Sequence, residues 1–143
     1  MIEGVIVTPL KRIFNEKGDI LHALKCSEES FSQFGEAYFS TVGMSDIKGW
    51  KKHSEMTLNL IVPSGCIKFV MFDDREESLS QGRFQEVIIT PDNYVRLTVP
   101  PKLWMAFQGV GDGINMLLNI ASIEHDPTES VNVALEHFNY SWG

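Results

Sequence analysis

The sequence predicts an all-β sandwich or barrel with little helix, on three observations. From Gly4 onward the apolar residues fall in short runs rich in Val, Ile, Phe and Tyr, residue types that suit a pleated, half-buried surface. Clusters of Pro, Gly, Asn, Asp and Ser separate these runs. Helical patterning is scarce along the whole chain.

Strands are predicted at residues 4–8, 20–25, 37–42, 57–62, 66–72, 85–90, 94–99, 104–110 and 114–121. Turn chemistry sets the divisions. Pro63-Ser64-Gly65 joins a preset φ to a residue free to take positive φ, so it reads as a hairpin between the fourth and fifth runs. Pro91-Asp92-Asn93 reads the same way between the sixth and seventh. Gly109, Gly111 and Gly113 surround Asp112 ahead of an apolar run and not a helix, so they mark a turn and no dinucleotide-binding loop. Residues 27–33 are expected to form one helical turn, with Ser27 as its cap and Glu28 and Glu29 at the anion-favouring end. Residues 128–136 fit a short helix or an extended arm. The ending Phe138-Asn139-Tyr140-Ser141-Trp142 is too aromatic to be left in water, so it is expected to pack on its own subunit or a neighbour.

The 143 residues, 43% apolar and 22% charged, suit one compact domain spanning 1–143. Twelve Lys and Arg against 19 Asp and Glu leave a net charge of −7, the wrong sign for holding nucleic acid by bulk counterion release. Only a local basic pocket is left to grip phosphate. No apolar run reaches the roughly 20 residues of a membrane helix, and Met1-Ile2-Glu3-Gly4 lacks the features of a signal peptide, so a cytoplasmic protein is expected. Cys26 and Cys66 are too few and too far apart for a disulfide framework or a cysteine-based zinc site. They are expected to serve as small half-buried apolar side chains.

Three segments carry chemistry. The only basic knot is Asp46-Ile47-Lys48-Gly49-Trp50-Lys51-Lys52-His53-Ser54-Glu55. In strand geometry Lys51, His53 and Glu55 share a face and converge, with Trp50, Lys52 and Ser54 opposite. A lysine and a histidine on one barrel wall can act as acid and base; a solvated basic edge that discourages strand pairing is the alternative. In Val99-Pro100-Pro101-Lys102-Leu103-Trp104-Met105-Ala106-Phe107, one face (Leu103, Met105, Phe107) is expected to join the core, and the other, with Trp104, to line a pocket mouth. Phe14-Asn15-Glu16-Lys17-Gly18-Asp19-Ile20 is a charged turn. His22, His125 and His137 show no metal-ligand spacing among themselves or with His53, so no metal is expected.

Together these segments resemble the cupin family of sugar-nucleotide epimerases and isomerases, typified by dTDP-4-dehydrorhamnose 3,5-epimerases and dTDP-4-keto-6-deoxyglucose ketoisomerases. FNEKGDI resembles the family's F-x-D-x-R-G turn, with Lys17 where an arginine commonly contacts nucleotide phosphates. KGWKKH resembles R-G-x-H and R-G-x-H-A-H, VPPKLWMAF resembles V-P-P-G-x-W, and FNYSW is similar to an I-P-Y-D-W ending. The resemblance implies a cupin-type jelly roll, a dTDP-linked 4-keto-6-deoxy sugar as ligand, no cofactor and a homodimer. It implies Lys51, His53 and Tyr38 as catalytic residues and Lys17, Lys48 and Trp104 as substrate-binding ones. Two departures stand out. Lys51 occupies the place of the family's first histidine, the usual general base, and residues 115–123 lack the epimerases' tyrosine. A non-catalytic nucleotide-sugar or carbohydrate-binding module is therefore the alternative to an enzyme.

Overall fold

A computed structural model describes residues 1–143. In chain order the strands are β1 (Ile6–Pro9), β2 (Arg12–Ile13), β3 (Ile20–Leu21), β4 (Glu36–Val42), β5 (Ile47–His53) and β6 (Leu58–Ser64), then β7 (Ile67–Phe72), β8 (Phe84–Ile89), β9 (Val95–Val99), β10 (Trp104–Gly109), β11 (Asn115–Ala121) and β12 (Ser130–Asn132). A 3₁₀ turn, Leu135–His137, is the only helical element. One sheet runs β1-β9-β6-β11-β4, the other β12-β5-β10-β7-β8, and β2-β3 form a separate ribbon. This is the all-β cupin-type jelly roll that the sequence predicts.

Period-two alternation fills the space between the sheets. Leu58, Leu60 and Val62 of β6 share one core with Ile67, Phe69 and Met71 of β7 and with Val95, Leu97 and Val99 of β9. A second cluster lies on the outer face of the β5-β10-β7 sheet, where Trp50, Val70, Trp104 and Ala106 are buried under Leu135, Phe138, Tyr140 and Trp142 of the chain's own end. The aromatic ending thus packs on its own subunit. It is pinned by Trp50 Nε1 donating to the Leu135 carbonyl at 3.3 Å and Lys68 Nζ donating to the Trp142 carbonyl at 3.2 Å. Because β7 is covered on both faces, its sequence Ile67-Lys68-Phe69-Val70-Met71-Phe72 is nearly all apolar.

Several expectations are corrected. Neither Pro63-Ser64-Gly65 nor Pro91-Asp92-Asn93 closes a hairpin: Pro63 and Ser64 are the last residues of β6, with the bend at Gly65, and β6 and β7 lie in different sheets, as do β8 and β9. They are corners at which the chain crosses between sheets. Between β4 and β11 only β7 and β8 are consecutive strands paired with each other. Residues 27–33 form turns and no helix; Glu28 instead uses its carboxylate on Lys25 N and on Arg96. Of the two forms expected for residues 128–136, the extended arm is the one found, as β12 pairs with β5. Cys26 is exposed and not half-buried. No helix is long and apolar enough to cross a membrane.

Candidate active site

A cavity of about 500 Å³ opens between the sheets at the β4-β5 side. Inward alternation builds it: Glu36, Tyr38 and Ser40 from β4, Lys51 and His53 from β5, Leu103, Met105 and Phe107 from the β10 segment, Leu117 and Asn119 from β11. Leu58, Leu60 and Val99 add apolar wall, and Lys48, His125 and Asn132 complete the lining. Lys48, Lys51, His53 and His125 face a single lining carboxylate, Glu36. The sign of the charge is therefore reversed locally within an acidic protein.

Gly49 explains how β5 approaches β10 closely enough to aim these groups. Its φ is +137°, and a Cβ there would lie 2.4 Å from Ala106 Cβ and 2.7 Å from Ala106 Cα. The β10 register shifts by a bulge between Met105 and Phe107, opposite this point, and bulges re-aim side chains beside functional sites. Trp50, the next residue, turns outward and is fully buried.

The sequence-predicted residues divide cleanly. Tyr38, Lys48, Lys51 and His53 meet in the cavity, while Lys17 and Trp104 lie outside it. Leu103, Met105 and Phe107 join the core as expected and also wall the cavity, but Trp104 does not line its mouth and is buried on the far side. There Trp104 Nε1 donates to Asp74 Oδ2 at 2.8 Å and Lys52 Nζ sits 4.8 Å over its ring. Lys17 belongs to the exposed β2-β3 turn. The basic knot is thus split, with Lys48 and Lys51 turned inward and Lys52 outward.

Glu55 does not converge with Lys51 and His53. β5 ends at His53, and the carboxylate that reaches the site comes from Glu129, just before β12. Glu129 Oε1 accepts a hydrogen bond from His53 Nδ1 at 2.7 Å, and its Oε2 accepts from the backbone N–H groups of Glu55 and Met56, both at 2.9 Å. Burial alone would raise the Glu129 pKa, but these donors outweigh it and hold the group below the usual glutamate value. As an ionised carboxylate it is an acceptor only, so Nδ1 carries the proton of this bond and Nε2 is the ring nitrogen left outside it. Nothing in the spacing of the sequence pointed to Glu129, which lies 76 residues from His53.

Two other polar arrangements complete the site. Lys48 Nζ donates to the Thr41 carbonyl at 2.7 Å and to Ser40 Oγ at 3.2 Å, whereas Lys51 has no ion-pair partner. Tyr38 Oη accepts a hydrogen bond from Asn119 Nδ2 at 2.9 Å. A tyrosine hydroxyl is therefore supplied by β4, beside the β11 region that lacks one. No three His, Cys, Asp or Glu side chains are grouped to hold a metal ion.

A histidine held by a carboxylate, an unpaired lysine and a tyrosine hydroxyl now share one apolar-walled cavity inside a jelly roll. No family model matches the chain. The crystal structure of a dTDP sugar isomerase from Desulfovibrio desulfuricans G20 superposes with a TM-score of 0.95 at 40% identity, covering 99% of this chain and 92% of that one. The chain belongs to the cupin family of sugar-nucleotide epimerases and isomerases. Among curated proteins, a probable low-salt glycan biosynthesis epimerase of Haloferax volcanii is 24% identical over 127 residues, covering 87% of this chain and 81% of the relative. A spore coat polysaccharide biosynthesis protein of Bacillus subtilis is 22% identical over 129 residues, covering 90% and 85%. The family resemblance read from the sequence thus holds over nearly the whole chain.

Proposed function

We propose that this chain is a sugar-nucleotide isomerase or epimerase acting on a dTDP-linked 4-keto-6-deoxy sugar, and that His53 is its base. The observation that carries the reading is the His53–Glu129 pair set in the same cavity as Lys51 and Tyr38. Moving a proton beside a ketone needs a base within reach and a group that stabilises the enolate oxygen. His53 Nε2 removes the proton, the C–H electron pair forms the enol double bond, and the carbonyl oxygen takes up charge beside Lys51 and the Tyr38 hydroxyl. For the isomer, the hydroxyl on the carbon that lost its hydrogen gives up its proton and becomes the new ketone, the former carbonyl oxygen takes up a proton, and the His53 imidazolium protonates the former carbonyl carbon. For the epimer, the carbonyl re-forms, the same carbon takes a proton from water on its opposite face, and His53 releases its own proton to water. Lys48, at the cavity lining, meets the diphosphate as a point charge.

The 40% identity to a dTDP sugar isomerase supports this substrate class, and isomerisation in particular. We further propose a cytoplasmic homodimer. β4 is a sheet edge with one side unpaired and bears Phe39, 64% exposed, and such an edge favours pairing with a second copy.

Calorimetric titration with dTDP, combined with NMR assay of dTDP-4-keto-6-deoxyglucose turnover, tests the function. The parent binds and converts the sugar, and His53→Asn still binds but is slower by about 10²- to 10⁴-fold. Binding without turnover by the parent would instead establish a nucleotide-sugar-binding module. Absence of binding would defeat both readings.

A further inference from the structure

We propose that Asn119 is a positioning residue that holds the Tyr38 phenol with its proton available to the bound keto sugar. The proposal rests on the reading of the cavity as a keto-sugar site. Two asparagines project inward from β11, and they are treated differently. Asn115, 1% exposed, is fully partnered: Nδ2 donates to the Val42 and Gly111 carbonyls, and Oδ1 accepts from Cys66 N. Asn119, 5% exposed, makes one bond only, from Nδ2 to Tyr38 Oη, and its Oδ1 is buried without a partner.

A half-satisfied amide among Leu58, Leu60 and Leu117 is costly where a leucine of similar volume fits. A residue kept at the expense of stability is the pattern expected at functional sites. What the amide supplies is the donor to Tyr38. Because the phenol oxygen accepts from Asn119, its own proton points elsewhere, and no protein group accepts it. As His53 takes the carbon-bound proton, the carbonyl oxygen takes the phenolic proton, and the resulting Tyr38 phenolate stays hydrogen-bonded to the Asn119 N–H. In the return step the enediol hydroxyl gives its proton back to Tyr38, and the His53 imidazolium protonates carbon. Neither step consumes a further reagent.

The test is a double-mutant cycle with Asn119→Leu and Tyr38→Phe, using dTDP-4-keto-6-deoxyglucose. Asn119→Leu lowers kcat by about ten- to hundredfold with KM within about twofold, and it melts at or above the parent's temperature. In the Tyr38→Phe background the same change alters kcat by less than about twofold. Additive losses, or an unchanged kcat in the single variant, would overturn the proposal. Asn119→Asp, which keeps the shape and removes the donor, must reproduce the kcat loss if Asn119→Leu does not fold. A readout without turnover separates this proposal from the function it rests on. In protein labelled with ¹³C-tyrosine, the Tyr38 ring-carbon resonance at Cζ shifts on Asn119→Leu, even if the parent converts no keto sugar. An unmoved resonance contradicts the Asn119–Tyr38 bond.

Discussion

Lys102 shows how one residue carries both a family motif and a local cost. It sits at φ +72°, a left-handed conformation that is unfavourable for a residue with a Cβ, at the place where the resembled V-P-P-G motif has glycine. Its N–H donates to the His53 carbonyl at 2.6 Å, so the turn ties the β10 segment to the end of β5. Lys102→Gly keeps this bond and relieves the strain. The substitution is expected to stabilise the protein by about 0.5–1 kcal/mol in denaturant unfolding, with turnover unchanged. Glu129 makes the opposite case. In Glu129→Gln the side-chain amide N–H rotates toward His53 Nδ1 and turns that nitrogen into an acceptor, so the proton moves to Nε2 and the base is lost. Turnover is expected to fall by about 10²-fold while dTDP affinity in calorimetry stays near the parent's. Lys51 and His53 were legible in the sequence because alternation puts them on one face, and Tyr38 because the family resemblance points to it. Glu129 and Asn119 were not, because their roles come from pairing between strands far apart in the chain.

The strands taught a similar lesson. Turn residues located nearly every break between elements, yet they do not say whether the chain folds back on its own sheet or crosses to the other. That choice is made by burial, which in a jelly roll places successive strands on alternate walls. Residues 47–53 were read as a charged cluster although they form β5. On their outward face Trp50 is covered by the chain's end, and a tail that supplies burial from outside leaves no mark on local alternation. The β5-β10 contact is tight at Gly49, where both the positive φ and the 2.4 Å approach of a Cβ to Ala106 oppose any larger residue. Gly49→Ala is expected to destabilise by roughly 2–4 kcal/mol in urea unfolding, and a variant of parental stability would show that β5 is not clamped there. The long β7-β8 connection is held by a different device. Asp73, fully buried, accepts hydrogen bonds from Arg75, Ser78 and Ser80.

For the molecule as a whole, these buried carboxylates set the response to acid. Arg75, with Ser78 and Ser80, holds Asp73 far below the ordinary aspartate range against the opposing effect of burial, and Glu129 is likewise lowered. A carboxylate whose pKa is depressed in the fold gives stability that is complete above its unfolded value and lost as pH falls. Stability is therefore expected to be flat near neutrality, to begin falling below about pH 4.5, and to drop by on the order of 3 kcal/mol by pH 2. Asp73→Asn removes part of that slope, which urea titrations at several pH values resolve. The net charge of −7 conceals a cavity of opposite sign, and this inversion fits the chain for an anionic nucleotide sugar. The proposed dimer predicts no monomer near micromolar protein in sedimentation velocity; a clean monomer would leave β4 as a free edge.

The most direct test of proton abstraction by this cavity is hydrogen exchange at the sugar itself. The protein is incubated with dTDP-4-keto-6-deoxyglucose in D₂O and followed by proton NMR. The account predicts that the signal of a hydrogen on a carbon beside the ketone disappears as deuterium enters, at a rate that His53→Asn lowers by about 10²- to 10⁴-fold. Saturating binding with every carbon-bound hydrogen retained would contradict it.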